Sequence, residues 1–164
     1  MIYVVDPQQP ELSIEDSYLK INMEQAADLL YRELAEGCKK KQCFIGVGRG
    51  IRCREGFYRL MQFGNKIGAQ VVATRGCVER EYTAPEYMVG LSGRTIFPNF
   101  YLGIGMSGSN QHMIGVCGTY RIVAVNKDPK ARIFSLADVG FIVDFWKLYP
   151  FLEKKWNCPD EGEL

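Results

Sequence analysis

A glycine-rich run in the second half of the chain has the composition of a phosphate-binding turn. Residues 103–108 read G-I-G-M-S-G, follow the apolar segment 100–102 and precede a stretch with helical spacing. In a strand–turn–helix unit, such glycines allow a tight turn and a close backbone approach to a pyrophosphate at the helix N-terminus. Asp128 lies about 20 residues further on, where this pattern has an acidic residue. The pattern indicates a dinucleotide cofactor and does not separate a flavin from a nicotinamide nucleotide.

Polar side chains follow several other apolar segments, at the point where each segment ends. They are Arg49, Thr74 with Arg75, Ser107 and Asn126. The carboxyl ends of parallel strands meet at one edge of an open α/β sheet, and ligands bind at that edge. These side chains are therefore predicted to surround one binding site.

No catalytic or metal-binding group stands out. The chain has one histidine, and its six cysteines include no C-x-x-C pair, so a metal site is not expected. No acid–base pair or nucleophile is evident either, so no catalytic residue is assigned. Binding of a cofactor, rather than chemistry by side chains, is the predicted role.

The elements that must position these residues alternate between strands and helices. The first helix is expected to end at Gly37, Pro150 to interrupt the last helix, and the stretch up to Tyr87 after the strand at 70–73 to be irregular. Strands are predicted at 2–6, 18–21, 42–48, 70–73, 100–105, 121–125 and 138–143, with a turn at 7–11 and helices at 23–37, 57–67, 111–117 and 145–156.

This alternation predicts an α/β fold: a Rossmann-like, three-layer domain of the DHS-like NAD/FAD-binding type with a mostly parallel sheet. The strands are continuous apolar runs, so both faces of the sheet should be covered. We expect a single domain, in which residues 1–41 pack on a cofactor-binding core formed by residues 42–164.

Composition excludes several classes of partner. The net charge of +1 gives no reason to expect nucleic acid. No apolar run approaches the roughly 20 residues needed to cross a bilayer, and the N-terminus does not resemble a signal peptide. Unpaired cysteines suit a reducing compartment, so a cytoplasmic protein without membrane insertion is expected.

An ordered series of motifs resembles the C-terminal, FAD-binding domain of the electron transfer flavoprotein alpha subunit. The resemblance extends over roughly residues 43–151, without large gaps, and S-G-x-x-Q-H and N-K-D-P are its most specific motifs. The matching segments are 46–50 (G-V-G-R-G), 74–75 (T-R), 89–93 (V-G-L-S-G), 98–101 (P-N-F-Y), 105–112 (G-M-S-G-S-N-Q-H), 124–129 (A-V-N-K-D-P) and 137–140 (A-D-V-G).

The resemblance implies FAD as the cofactor and assigns contacts to it. Arg75 would lie by the isoalloxazine ring, Ser92 would hydrogen-bond flavin N5, and His112 would lie near the flavin C2 carbonyl. Asp144 either holds the adenosine end or only caps the last helix. The full set of implied cofactor-binding residues is Arg49, Thr74, Arg75, Val89, Gly90, Leu91, Ser92, Ser107, Gly108, Ser109, Asn110, Gln111, His112, Asn126, Asp144 and Phe145.

The implied function is electron transfer. Arg75, His112 and a helix N-terminus could place donors or positive charge beside the flavin, which would raise its potential and stabilise a semiquinone. The chain would accept electrons from a flavin dehydrogenase and pass them on, as a carrier rather than an enzyme. An NAD(P)-binding enzyme domain on the same fold, and a flavin-free assembly module, remain alternatives.

Some positions depart from the family. Met88 and Leu91 stand where glutamine is usual, and Gly76 and Cys77 replace small alanines. Loss of the amides favours the flavin-free alternative. The family's alpha subunit also carries a separate N-terminal domain that these 164 residues do not include, so the chain is expected to be an excised domain or a shortened relative.

The resemblance further implies a heterodimer with a beta-type subunit, with homodimerisation of the isolated chain as the rival outcome. Aromatic residues crowd into the last predicted helix and exceed what one buried face needs. Tyr149, Phe151 and Trp156, around the Pro150 break, are expected to be exposed and to contact the partner.

Overall fold

The computed structural model describes residues 1–6, 13–15 and 18–158, and the side chains of all of these except 13–15. The turn predicted at 7–11 lies outside these residues. The strands are β1 (Ile2–Val5), β2 (Ser13–Glu15), β3 (Tyr18–Ile21), β4 (Cys43–Val47), β5 (Gln70–Ala73), β6 (Phe100–Ile104), β7 (Arg121–Asn126) and β8 (Val139–Ile142). The helices are α1 (Met23–Lys39), α2 (Arg54–Ile67), α3 (Arg75–Glu79), α4 (Asn110–Met113), α5 (Ile133–Leu136) and α6 (Phe145–Asn157).

The strands form one sheet in the order β2-β3-β1-β8-β7-β6-β4-β5. All neighbouring strands are parallel except β2, which runs antiparallel to β3 at the edge. This confirms the prediction of an α/β, Rossmann-like domain with a mostly parallel sheet. After β4 the chain moves outward to β5 and then returns to place β6 on the other side of β4. The strand order therefore reverses between β4 and β6, and a crevice opens at such a point in an open α/β sheet.

The sheet separates two layers of apolar side chains. Every residue of β4 and β6 is buried, as expected for strands covered on both faces. Along β6, Phe100 and Leu102 face the helices α1, α2 and α6, whereas Tyr101 faces the loops and short helices of the other side. This alternation places Tyr101 on the face where the glycine-rich run at 103–108 folds back.

Helix α1 begins at a capping box and extends beyond its predicted end. The side chain of Asn22 accepts a hydrogen bond from the Gln25 amide, and the Gln25 side chain accepts one from the Asn22 amide. Gly37 lies inside the helix, so the prediction that it ends the helix is wrong. It is buried, and a Cβ atom there would lie 2.4 Å from the ring of Phe100. Gly37 thus serves close packing of helix on strand rather than helix termination.

Helix α6 also differs from its prediction, because it continues through Pro150. Leu148 and Leu152 on either side of the proline are fully buried, and this burial offsets the hydrogen bond that proline removes. The prediction that Tyr149, Phe151 and Trp156 are exposed is wrong as well. Tyr149 is only 4% exposed, Phe151 is partly buried against the core, and Trp156 packs its ring edge-on to Phe63 and Tyr31. The helix completes the core and presents no such patch.

The remaining differences concern short elements. The helix predicted at 111–117 is limited to Asn110–Met113. The stretch expected to be irregular contains α3 and a single 3₁₀ turn at Pro85–Tyr87. The strand β2 and the helix α5 were not predicted. Elements of three to five residues are too short to show a hydrophobic period.

Candidate cofactor site

The loops that follow β4 and β6 meet at the reversal point of the sheet and form the floor of a cleft. The amide of Gly48 donates to the carbonyl of Ile104 at 2.8 Å, and the amide of Gly50 donates to the carbonyl of Gly105 at 2.9 Å. A Cβ atom on Gly105, whose φ is +60°, would lie 2.8 Å from the Cα atom of Gly50. The two backbones can touch only because glycine occupies both positions, which leaves a floor bare of side chains.

The cleft above this floor has a volume of about 880 Å³. Cofactor and ligand pockets have volumes of about 300–1,000 Å³, so the space suits a large ligand such as a dinucleotide. Twelve of the sixteen predicted residues line it: Arg49, Thr74, Arg75, Val89, Gly90, Leu91, Ser92, Ser107, Ser109, Gln111, His112 and Asn126.

One wall of the cleft is the loop at 88–92. The amide of Val89 donates to the carbonyl of Ala73 at 3.0 Å, and the amide of Leu91 donates to the carbonyl of Gln111 at 2.7 Å. Gly90 has φ +134°, and a Cβ atom there would lie 2.2 Å from the Gln111 carbonyl oxygen. This conformation and this contact require glycine. The loop is therefore fastened between the end of β5 and the start of α4.

His112 fastens the same loop from inside. Its Nδ1 lies 2.9 Å from the carbonyl oxygen of Val89, and its Nε2 lies 2.5 Å from the hydroxyl oxygen of Tyr101. A carbonyl can only accept, so Nδ1 carries the proton and donates to Val89, and Nε2 accepts from Tyr101. Burial lowers the pKa of His112 to about 4. The ring is thus neutral near pH 7, with both nitrogens in internal hydrogen bonds, and it adds no positive charge to the cleft.

The positive charge of the cleft comes from arginine and lysine side chains. Glu79 and Asp128 are the carboxylates on the same lining. Cationic side chains beside an exposed backbone floor favour binding of a ligand with phosphate groups. The cationic side chains are those of Arg49, Arg52, Arg75, Arg80 and Lys127.

Arg75 begins helix α3 and lies in an exposed ion pair. Its Nε lies 2.7 Å from Oε1 of Glu79, one helical turn later, and the two side chains are 68% and 59% exposed. Exposed pairs of this kind contribute about 0–1 kcal/mol. Arg75 can therefore exchange Glu79 for a ligand in the cleft at little cost.

Asn126 holds the glycine-rich turn in place. Its Nδ2 donates to the carbonyl of Met106 at 2.7 Å, and its Oδ1 accepts from the amide of Asp128 at 3.0 Å. The side chain thus links the end of β7 to the turn after β6. It orders the lining of the cleft at the side next to Lys127 and Asp128.

Four predicted residues do not line the cleft. Asp144 accepts from the Trp146 amide and forms an ion pair with Arg52, which does line it. Asn110 binds the side chain of Arg132. Phe145 is buried in the core, and Gly108 packs on the backbone of Ile133, where a Cβ atom would lie at 2.7 Å. Asp144 therefore has the capping role in this structure and reaches the cleft only through Arg52.

Several lining residues were absent from the predicted set. Arg52 lies three positions beyond Arg49, Arg80 follows α3, and Lys127 belongs to the N-K-D-P motif. Positive charge close to the predicted strand ends was the signal available for these three. Tyr82 lies in the stretch expected to be irregular, and no sequence pattern marked it.

The described residues hold no group of three His, Cys, Asp or Glu side chains placed to bind a metal ion. Within the same residues, no helix is both long and apolar enough to cross a membrane.

Strand order, glycine floor and cationic lining together define a dinucleotide-binding α/β domain with its site at the reversal of the sheet. Residues 38–117 match the family described as electron transfer flavoprotein FAD-binding domain. Residues 38–117, just under half of the chain, therefore belong to the family of electron transfer flavoprotein FAD-binding domains.

Two similar proteins are named electron transfer flavoprotein subunit alpha. The electron transfer flavoprotein subunit alpha of Bacillus subtilis is 37% identical over 128 residues, which are 77% of this chain and 39% of that protein. The mitochondrial subunit alpha of rice (Oryza sativa subsp. indica) is 41% identical over 114 residues, 70% of this chain and 31% of that protein.

A third relative is the LctC subunit of lactate dehydrogenase (NAD(+),ferredoxin) from Acetobacterium woodii. It is 31% identical over 136 residues, 83% of this chain and 32% of that protein. The chain thus spans between three and four tenths of the length of these relatives.

The cleft fits the FAD that this family binds. Its floor is glycine backbone that a single Cβ atom would obstruct, and its walls carry five cations. Both features suit the diphosphate of a dinucleotide, and the volume suits its two ends.

Proposed function

We propose that the chain holds FAD in the cleft between the β4 and β6 loops and acts as an electron carrier. The observation that supports this most is the glycine floor at the reversal point of the sheet, with basic side chains around it. The carrier takes electrons from a flavin dehydrogenase and passes them to an acceptor. Bound FAD supplies the electron-accepting ring, and the chain supplies its position and electrostatic surroundings.

The residues divide the work. Gly50 and Gly105 let the diphosphate approach the backbone, and Arg49 and Lys127 supply charge to neutralise it. Arg75 acts at the ring, where its guanidinium favours added electron density and raises the reduction potential. The side chains of Thr74, Ser92, Ser107, Ser109 and Gln111 make polar contacts with the cofactor, and Val89, Gly90 and Leu91 form a loop against the flavin.

His112 contributes to the site through the loop that it holds rather than through positive charge. A neutral ring with both nitrogens bound to Val89 and Tyr101 holds the loop at 88–92 in shape. Of Arg75 and His112, only Arg75 therefore supplies positive charge beside the ring.

A beta-type subunit is the proposed partner, and a cytoplasmic location is proposed with it. Leu91 is consistent with this partner, because it is 70% exposed at the cleft, where a subunit that covers the open side would bury it. The partner would cover the open side of the cleft and shield the flavin from water.

Cofactor content after native purification tests the proposal. The protein should be yellow and should release FAD on denaturation. Apoprotein should then bind FAD in a calorimetric titration at least 10-fold more tightly than FMN or NAD, because the lining continues from the flavin side to Asn126. Equal affinity for FMN and FAD would contradict the proposal. Colourless protein that binds NAD would support an NAD(P)-dependent enzyme, and colourless protein that binds neither would support an assembly module.

A pull-down from the native source tests the partner. Wild-type chain should recover a second flavoprotein subunit, and a Leu91→Glu variant should recover less of it; the FAD content of both is measured because Leu91 also lines the cleft. A monomer that recovers no partner and shields its flavin fully from collisional quenchers would exclude the heterodimer.

A further inference from the structure

Two cysteines at the edge of the sheet opposite the cleft form a close pair. Cys38 lies in the last turn of α1, and Cys43 is the first residue of β4. Their sulfur atoms lie 2.8 Å apart. This separation exceeds that of a disulfide bond, about 2.05 Å, by only about 0.8 Å. A bond between them therefore requires little movement of either element.

The connection between the two cysteines is fixed by the fold. Asn99 holds it at two points: its Nδ2 donates to the carbonyl of Lys41 at 2.8 Å, and its amide donates to the carbonyl of Gln42 at 2.9 Å. Gln42 has φ +68°, a conformation uncommon outside glycine, and it turns the chain directly into β4. The approach of Cys38 to Cys43 is thus built into the link between α1 and β4.

The two thiols differ in access and in acidity. Cys43 is 3% exposed, whereas Cys38 is only partly buried. The hydrogen bond from Cys43 lowers the pKa of Cys38, while the same contact and burial raise the pKa of Cys43. Cys38 is therefore the thiol that becomes a thiolate and meets a reagent from solvent, and Cys43 is the partner held behind it.

We infer that Cys38 and Cys43 form a dithiol site that low-molecular-weight disulfides, such as glutathione disulfide, convert to an intramolecular disulfide. The Cys38 thiolate attacks one sulfur of the reagent, forms a mixed disulfide and releases one thiolate. Cys43 then loses its proton, attacks the Cys38 sulfur and displaces the second thiol. The reagent is reduced to two thiols, and the protein is oxidised by two electrons. Excess thiol reverses both steps.

The other cysteines have no such partner in the described part of the chain, and they provide internal controls. Cys77 is fully buried, donates to the carbonyl of Val47 at 3.2 Å, and has a pKa raised by burial. Cys117 is partly buried, whereas Cys53 and Cys158 are exposed. A single exposed thiol without a neighbouring cysteine reacts with glutathione disulfide only as far as the mixed disulfide.

Mass spectrometry of the full chain, treated with glutathione disulfide and then digested with trypsin, tests the inference. Lys39, Lys40 and Lys41 lie between the two cysteines, so trypsin separates the two peptides unless a disulfide joins them. The wild type should give the joined peptide, without glutathione on either cysteine, and dithiothreitol should separate it. Cys53→Ser, the matched control, should give the same result.

The single variants separate the two steps. Cys43→Ser should accumulate glutathione on Cys38, at least 10-fold faster than an exposed single thiol such as Cys158 acquires it. Cys38→Ser should leave Cys43 unmodified because Cys43 is buried. A wild type that keeps glutathione on Cys38 without a joined peptide would overturn the inference, and so would modification of Cys38 no faster than that of Cys158. Folding of each variant is checked by circular dichroism, and none of these readouts depends on FAD.

Discussion

The hydroxyl oxygen of Tyr101 lies 2.5 Å from Nε2 of His112, and both side chains are buried, at 0% and 3% exposure. His112 in turn donates from Nδ1 to the carbonyl of Val89. The Val89 carbonyl thus sets the tautomer of the histidine, Tyr101 in the middle of β6 donates to its other nitrogen, and the histidine holds one wall of the cleft.

Removal of the Tyr101 hydroxyl should therefore destabilise the fold. Tyr101→Phe leaves Nε2 of His112 buried without a donor, which costs about 1–3 kcal/mol. Urea denaturation should show this loss. Tyr3→Phe is the control: within the described residues the exposed Tyr3 hydroxyl donates only to the sulfur of Met1, so this variant should match the wild type. Equal stability of the two variants would show that the Tyr101 bond contributes nothing.

His112 should make stability depend on pH. Its pKa falls from 6.5 to about 4 on folding, because burial disfavours the charged ring. The unfolded chain then binds a proton that the folded chain does not, so stability is complete above pH 6.5 and is lost as pH falls towards 4. Between pH 7 and pH 5 this loss should reach about 2 kcal/mol.

The single histidine of the chain makes that test direct. Its C2 proton should titrate in NMR spectra near pH 4 rather than 6.5. The free energy of unfolding of wild type and of His112→Asn is measured in urea at pH 7 and at pH 5. The difference between the two proteins in how much stability they lose on acidification is the contribution of the histidine. A titration near the ordinary value would mean that the ring is exposed to solvent.

Gly90 should be needed for FAD binding. Gly90→Ala combines φ +134° with a 2.2 Å contact to the Gln111 carbonyl, so the loop must move away from α4. FAD affinity should fall at least 10-fold, or about 1.4 kcal/mol. Gly68→Ala is the matched control: Gly68 has φ +78°, but a Cβ atom there meets nothing within 4 Å. That variant should lose stability modestly and keep its affinity. Comparable affinity losses would show that backbone strain alone, and not the cleft wall, is responsible.

Arg75 should tune the flavin more than the fold. With Arg75 placed beside the ring as proposed, Arg75→Ala removes a charge-assisted donor worth roughly 1.5–3 kcal/mol. The reduction potential of bound flavin should fall while the urea midpoint changes little, since the Glu79 ion pair is exposed. Arg32→Ala removes a positive charge from α1, away from the cleft, and should leave the potential unchanged. A reductive titration of Arg75→Ala that matches the wild type would exclude this role.

The sequence predicted the architecture well where elements are long and apolar. The buried strands β4 and β6 and the amphipathic helix α1 have periods that extend over enough residues to identify them. It failed at Gly37 and Pro150, because the effect of each depends on packing against a distant element. Phe100 explains the glycine, and burial of Leu148 and Leu152 explains the proline.

The site was predicted in position more than in detail. Motifs placed Thr74, Ser107 and Asn126 at the correct edge of the sheet. They did not reveal that both nitrogens of His112 are already bonded, and they left open whether Asp144 holds the adenosine end or caps α6, as it does. Hydrogen-bond partners such as Val89 and Tyr101 are defined only once the sheet brings distant segments together.

The pairing of β1 with β8 determines the order in which this sheet can assemble. Ile2 pairs with Gly140, so β1 hydrogen-bonds to β8 although β2 to β7 all lie between them along the chain. During synthesis β4, β5, β6 and β7 can pair with one another in turn. The edge of β1 that pairs with β8 stays unpaired until β8 has been made. Contacts of such large sequence separation slow folding and prolong the exposure of an open strand. The docking of β1 and β3 onto β8 is therefore a step before which an open strand edge favours pairing with another chain.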